Sequence, residues 1–92
     1  MAEIKTGQLV RSLAGRDKGK HYLVLQTIDQ RYALVVDGRT RTLDRPKKKN
    51  IVHLQHYERR ADFKELIDRE QLTDSHIIKF LKDLAPAAGV PG

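Results

Sequence analysis

The sequence predicts a mainly β chain, a small and strongly bent five-stranded barrel followed by one or two α-helices. Three observations carry this expectation. Between Gln8 and Gln55 the apolar residues fall in short runs rich in Val, Leu, Ile, Tyr and Thr. Glycines, a proline and polar clusters punctuate those runs. Beyond Tyr57 the apolar spacing becomes helical. Five short strands in so few residues cannot close a wide barrel, and a chain of 92 residues supports a modest core without a deep substrate cavity.

Taken in order, "QLVRSL" gives the first strand, and "AGRDKG" then supplies Gly15 and Gly19, which take positive φ at little cost. "HYLVLQTI" and "YALVV" follow, separated by the polar break "DQR" at residues 29–31. Asp37-Gly38 in "VVDGRT" is a two-residue hairpin signal leading to a fourth strand, "TRTL". Pro46 in "DRPKKKN" ends that strand, because proline brings no N–H to a ladder. "IVHLQ" makes the fifth. Core or partly covered positions are Leu9, Val10, Leu23, Val24, Leu25, Leu34, Val36, Ile51, Val52 and Leu54. In "ADFKELIDREQ", Phe63, Leu66 and Ile67 fall at helical spacing. "LTDSHIIKFLKDL" offers Thr73, Asp74 and Ser75 as caps ahead of an Ile77, Leu81, Leu84 stripe, with Asp74 and Lys82 placed to suit the helix dipole. The expected organisation is a barrel over 1–56, a helical extension packed on it over 57–85, and a flexible Pro/Gly-rich tail over 86–92.

Charge is uneven along this chain. The net formal charge is +6, but residues 1–60 hold 14 bases and 6 acids, while 61–92 hold 4 and 6. The first two-thirds therefore suits a polyanion. Without cysteine there is neither a disulfide framework nor a thiolate metal site. No apolar run reaches the roughly 18 residues that span a bilayer, and "MAEIKTGQLV" lacks the apolar core of a secretory signal, so the expectation is a cytoplasmic protein without a membrane partner. Phe63, Phe80 and three tyrosines are the only aromatic residues, which argues against a surface that reads bases mainly by stacking.

"SLAGRDKGKHY" fails as a phosphate-binding loop of an enzyme. Three residues rather than four separate Gly15 from Gly19, His21 stands where a metal-binding hydroxyl is required, and a strand rather than a helix follows. His53 and His56 are three apart, so an extended chain sends them to opposite faces. His21 and His76 are surface or edge histidines with no matched ligand, and Ser12 and Ser75 have no base pattern beside them. The sequence therefore predicts no enzyme, metal, cofactor or small-molecule substrate.

What remains is a strand, a tight glycine turn and a strand, with Arg16, Lys18 and Lys20 presented on the turn. Asp17 is expected to accept from backbone N–H groups of its own turn. Arg39 and Arg41 are expected two apart on one strand face, with Arg45 close behind and Lys47, Lys48 and Lys49 after a stiffening proline. Folded together, these segments make a basic stripe for phosphate. Arg39 and Arg41 also suit a solvated strand face that discourages edge pairing, the lysine run suits an ordinary polar loop, and Asn50 either contacts a nucleic acid or closes a turn. Charge does not separate RNA from DNA.

The stretch "GQLVRSLAGRDKGKHYLVLQ" resembles a KOW motif. Gly7, Val10, Gly15, Asp17, Lys18, Gly19, Lys20 and Val24 fall at matching positions. It departs from the motif at Ser12, where an aliphatic residue is usual, and at His21-Tyr22, where a small residue is common. "YALVVDGRTRTLDRPKKKNIVHLQ" looks like the continuation seen in KOW-type large-subunit ribosomal proteins of archaea and eukaryotes and in short bacterial proteins similar to them. The likeness covers about residues 5–56, and "LTDSHIIKFLKDL" resembles the terminal helix of the short bacterial branch. The resemblance implies an SH3-like barrel that binds RNA, usually ribosomal RNA in the ribosome, without catalysis. On it the RNA-binding residues are Arg16, Lys18, Lys20, Arg39, Arg41, Arg45, Lys47, Lys48, Lys49 and Asn50, with Gly15, Asp17, Gly19, Asp37 and Gly38 forming turns. The alternative is an SH3-like adaptor of the transcription or translation machinery, whose bases would meet an acidic protein surface; separately, the Ile77/Leu81 stripe of the C-terminal helix suits a protein partner.

Overall fold

The computed structural model describes residues 4–85; the 86–92 tail lies outside them. Five antiparallel strands form one sheet in the order β4-β3-β2-β1-β5: β1 Gln8–Ser12, β2 His21–Thr27, β3 Tyr32–Val36, β4 Lys47–Asn50 and β5 Leu54–Arg60. Helices α1, Lys64–Asp68, and α2, Asp74–Leu84, follow. The expected mainly β fold with C-terminal helices is what forms, small and SH3-like in outline. The ring is not closed as a barrel: β4 and β5 are the two edges of the sheet. Those edges are joined by one turn of 3-10 helix, Ile51–His53. Consecutive strands at opposite ends of the strand order require the sheet to curl sharply.

Each face of the curled sheet carries a core. Neighbours along a strand point to opposite sides, so the consecutive apolar pair Leu9-Val10 feeds two cores. The inner face packs Val10, Tyr22, Val24, Ala33, Val35 and Leu54. The outer face packs Leu9, Leu23 and Val36 against Ala61, Phe63 and Ile77. Register agrees, since Leu9 opposes Leu23 and Val10 opposes Tyr22. An irregularity between Val24 and Gln26 interrupts the β2–β3 register. The apolar stripe of α2 is thus spent on the sheet, with Ile77 fully buried and Phe80, Leu81 and Leu84 partly so. Thr73 caps α2 in a reciprocal capping box with His76. No helix among the described residues is long and apolar enough to cross a membrane.

Three strand expectations change. "TRTL" is not a strand; residues 37–46 form one long connection between β3 and β4. Asp37 organises it, with Oδ1 accepting from the N–H groups of Arg39 (2.9 Å) and Arg41 (2.8 Å). In place of a two-residue Asp37-Gly38 hairpin there is a wider turn, in which the Asp37 and Gly38 N–H groups donate to the Arg41 carbonyl (2.9 and 3.1 Å), and the chain runs on until Leu43 N–H donates to Asp74 Oδ1 at the start of α2 (2.8 Å). Gly38 is pressed against that helix at φ +80°, where an added Cβ would lie 2.6 Å from the Asp74 carbonyl oxygen. Pro46 does not end a strand but immediately precedes one, and the lysine run is β4. β5 begins only at Leu54, which leaves Val52 on the 3-10 turn at 76% exposure instead of in the core.

Candidate nucleic-acid interface

The β1–β2 turn is built as its glycines require. Gly15 and Gly19 have φ of +85° and +90°, and Gly19 N–H donates to the Ser12 carbonyl (2.8 Å). Asp17 behaves differently from expectation, because its carboxylate takes side-chain donors. Ser12 Oγ donates to Oδ1 (2.8 Å) and Tyr22 Oη to Oδ2 (2.8 Å). Lys49 Nζ donates to Oδ1 and Lys47 Nζ to Oδ2, both at 3.0 Å. Burial alone would raise this carboxyl's pKa. Hydrogen bonds from Tyr22, Ser12, Lys47 and Lys49 outweigh it and hold the carboxyl well below its ordinary range. Burial and the bond to Asp17 push the Tyr22 phenol up in turn.

A second tie joins the β1–β2 turn to the 37–46 connection. Lys20 Nζ lies 2.6 Å from both Asp37 Oδ2 and Thr40 Oγ1. Desolvation again favours the neutral acid, but Lys20 and the backbone N–H groups of Arg41 and Arg39 keep Asp37 ionised with a depressed pKa. Two basic segments far apart in sequence are thereby held side by side. Residues 11–20 and 37–49 together contain ten Lys or Arg and three Asp.

The ten expected contact residues divide by what they touch. Lys47 and Lys49 face Asp17, and Lys49 is only 8% exposed. Lys20 is paired with Asp37. Asn50 closes a turn, its side chain accepting from Val52 N–H (3.1 Å). These four hold the fold together, a correction to the stripe expected from sequence. Lys48 points the other way along β4 and sets its ammonium 4.4 Å from the Tyr32 ring centroid. Arg16, Lys18, Arg39 and Arg45 are exposed, Arg41 is half-buried, and among the described residues none of these five forms an ion pair. Arg39 and Arg41 sit on a loop, so they share no strand face.

Arg11 belongs to the same region and was not singled out from sequence. It is exposed on β1, and a Cβ added to Gly19 would lie 3.7 Å from its guanidinium. The readable signal was an arginine breaking an apolar strand just before a basic turn. Ser12 and Tyr22, two of the three residues that depart from the KOW pattern, are the ones that hydrogen-bond Asp17. The chain matches no protein-family model, and no curated protein matches it significantly.

Proposed function

We propose that the protein binds RNA without catalysis, contacting phosphates through the joined β1–β2 turn and 37–46 connection. The observation that carries this reading is the Lys20–Asp37 tie, which holds the two segments together while Arg16, Lys18, Arg39 and Arg45 stay exposed. Cations on a braced turn lose less conformational entropy on contact than cations on a free tail. Arginine adds fork-shaped donation to phosphate oxygens or guanine edges. The likeness of Gly7–Val24 to a KOW motif favours RNA over DNA, and ribosomal RNA among RNAs. A protein partner docked on the apolar stripe of α2 draws no support, because that stripe is packed on the sheet.

The test is the salt dependence of binding to a structured ribosomal RNA fragment. Each neutralised phosphate contributes about 0.7 to 0.9 to the slope of log affinity against log salt. Replacing Arg16, Lys18 and Arg39 together by Gln should lower that slope by about 2 to 3. Binding that is absent at low salt, or that keeps its slope in the triple variant, removes the proposal.

A further inference from the structure

The outer face of the sheet is not covered along its whole length. Phe63 and Ile77 lie over Leu9, Leu23 and Val36. One step further along β1, Arg11 opposes His21 on β2 and Gln55 on β5. Arg11 and Gln55 are exposed and His21 is half-buried, so the covering ends there. Tyr57, also half-buried, completes the group from β5. Its hydroxyl lies 3.3 Å from His21 Nε2, and the two ring centroids are 5.7 Å apart with planes tilted by 41°. Tyr57 also packs against the outer core, which together with the His21 contact holds the ring in place.

This strip combines two fixed rings, a guanidinium and an amide. Burial and the neighbouring Arg11 charge lower the His21 pKa, which keeps the imidazole neutral near pH 7 and suited to stacking. Aromatic faces accept any nucleobase, a guanidinium plane stacks or meets phosphate, and an amide pairs with base edges. The strip also runs into the phosphate-facing turn, because Arg11 reaches Gly19. Positive charge at that junction suits an anionic chain and excludes a basic partner.

We propose that Arg11, His21, Gln55 and Tyr57 form a subsite for unpaired nucleobases, contiguous with the phosphate-binding turn. This rests on the RNA-binding reading and narrows it: the RNA would present a bulge, loop or single-stranded end beside the phosphates gripped by Arg16 and Lys18. Base recognition is then not excluded by the small number of aromatic residues, because folding pairs a histidine with a tyrosine.

The experiment compares two fluorescently labelled strands of equal length and charge, an unstructured RNA and an abasic ribose-phosphate strand, titrated with the full chain. The RNA should bind more tightly. Tyr57→Leu should weaken RNA binding about 10-fold, the effect of removing one stacking ring, and should bring the RNA-to-abasic affinity ratio toward one. Tyr57→Phe keeps the ring and should recover most of the ratio. Gln55→Ala, at an exposed position, should also reduce the ratio, which separates recognition from folding. Equal affinity for the two strands in the wild type, or an unchanged ratio in both Tyr57→Leu and Gln55→Ala, overturns the subsite. In that case Arg16→Gln with Lys18→Gln still reports on the phosphate turn, since its loss weakens both strands alike. If the wild type binds neither strand nor the structured fragment, the RNA-binding reading falls as well.

Discussion

Two ammonium groups, a phenol and a hydroxyl converge on the Asp17 carboxylate, and they come from three different strands. Removing the charge would strand Lys49 in the interior, a change that costs about 3 kcal/mol or more. Tyr22→Phe loses a single bond to a charged acceptor, worth about 1.5 to 3 kcal/mol. Urea unfolding of Asp17→Asn should therefore show the larger drop in midpoint of the two. The pH dependence has a definite sign. The folded carboxyl binds its proton more weakly than the unfolded one, so acid favours the unfolded chain. Its contribution is complete above the ordinary carboxylate value near 4 and declines as pH falls toward the depressed folded value. Asp37 acts in the same direction. The wild type should lose more stability than Asp17→Asn between about pH 5 and pH 3, and equal losses would refute this role for Asp17. At this scale the sequence was half legible. Positive φ at Gly15 and Gly19 follows from local chemistry, but Asp17's partners lie up to 32 residues away.

Among the elements, β4 is the least readable from sequence. Three lysines before an asparagine carry low strand propensity, whereas "TRTL" has the better β composition and forms a loop. Both outcomes have tertiary causes. Lys47 and Lys49 turn inward onto Asp17, opposite Val35 and Ala33 on the neighbouring strand. "TRTL" is diverted by Asp37, which captures two N–H groups, and by Asp74, which captures a third. Alternation along β4 yields a sharp contrast. Lys49→Ala should lower stability by about 2 kcal/mol, while Lys48→Ala, on the other face, should stay within about 0.5 kcal/mol of wild type. Thermal melts of the two single variants decide the matter, and similar melting temperatures would mean that Lys49 is not structural. Changing all three lysines together would confound folding with binding, so it is a poor probe of an RNA surface. The helices were more legible: α2 runs where its stripe and Thr73 cap place it, because helical spacing and capping are local properties.

The whole molecule has two cores sharing one sheet, and the outer core is completed by residues from beyond the sheet. The expected barrel over 1–56 and the helical extension over 57–85 expected to pack on it meet inside β5. β5 continues to Arg60, and Ala61, Phe63 and Ile77 are buried against Leu9, Leu23 and Val36. Fully burying one large apolar side chain contributes about 1.5 to 3 kcal/mol, against a typical total stability of about 5 to 15 kcal/mol. A chain ended at Arg60 loses Phe63 and Ile77 and exposes what they cover. It should show no cooperative thermal transition by circular dichroism and should associate on size exclusion. A sharp transition in a monomeric fragment would show that the sheet stands without its helices. Spacing alone predicts that a strand or helix has an apolar side. It does not tell which of two sheet faces a distant helix will cover.

The internal tie of lysine to aspartate also sorts the cations by chemistry. Lys20, Lys47 and Lys49 are occupied by carboxylates, and the charges turned outward around the turn are mostly guanidinium groups, at Arg11, Arg16, Arg39 and Arg45. Guanidinium stays protonated throughout the physiological range and is no substrate for an acetyltransferase acting on amines. Such an enzyme would find few free handles on this surface, so its outward charge is largely indifferent to lysine acetylation.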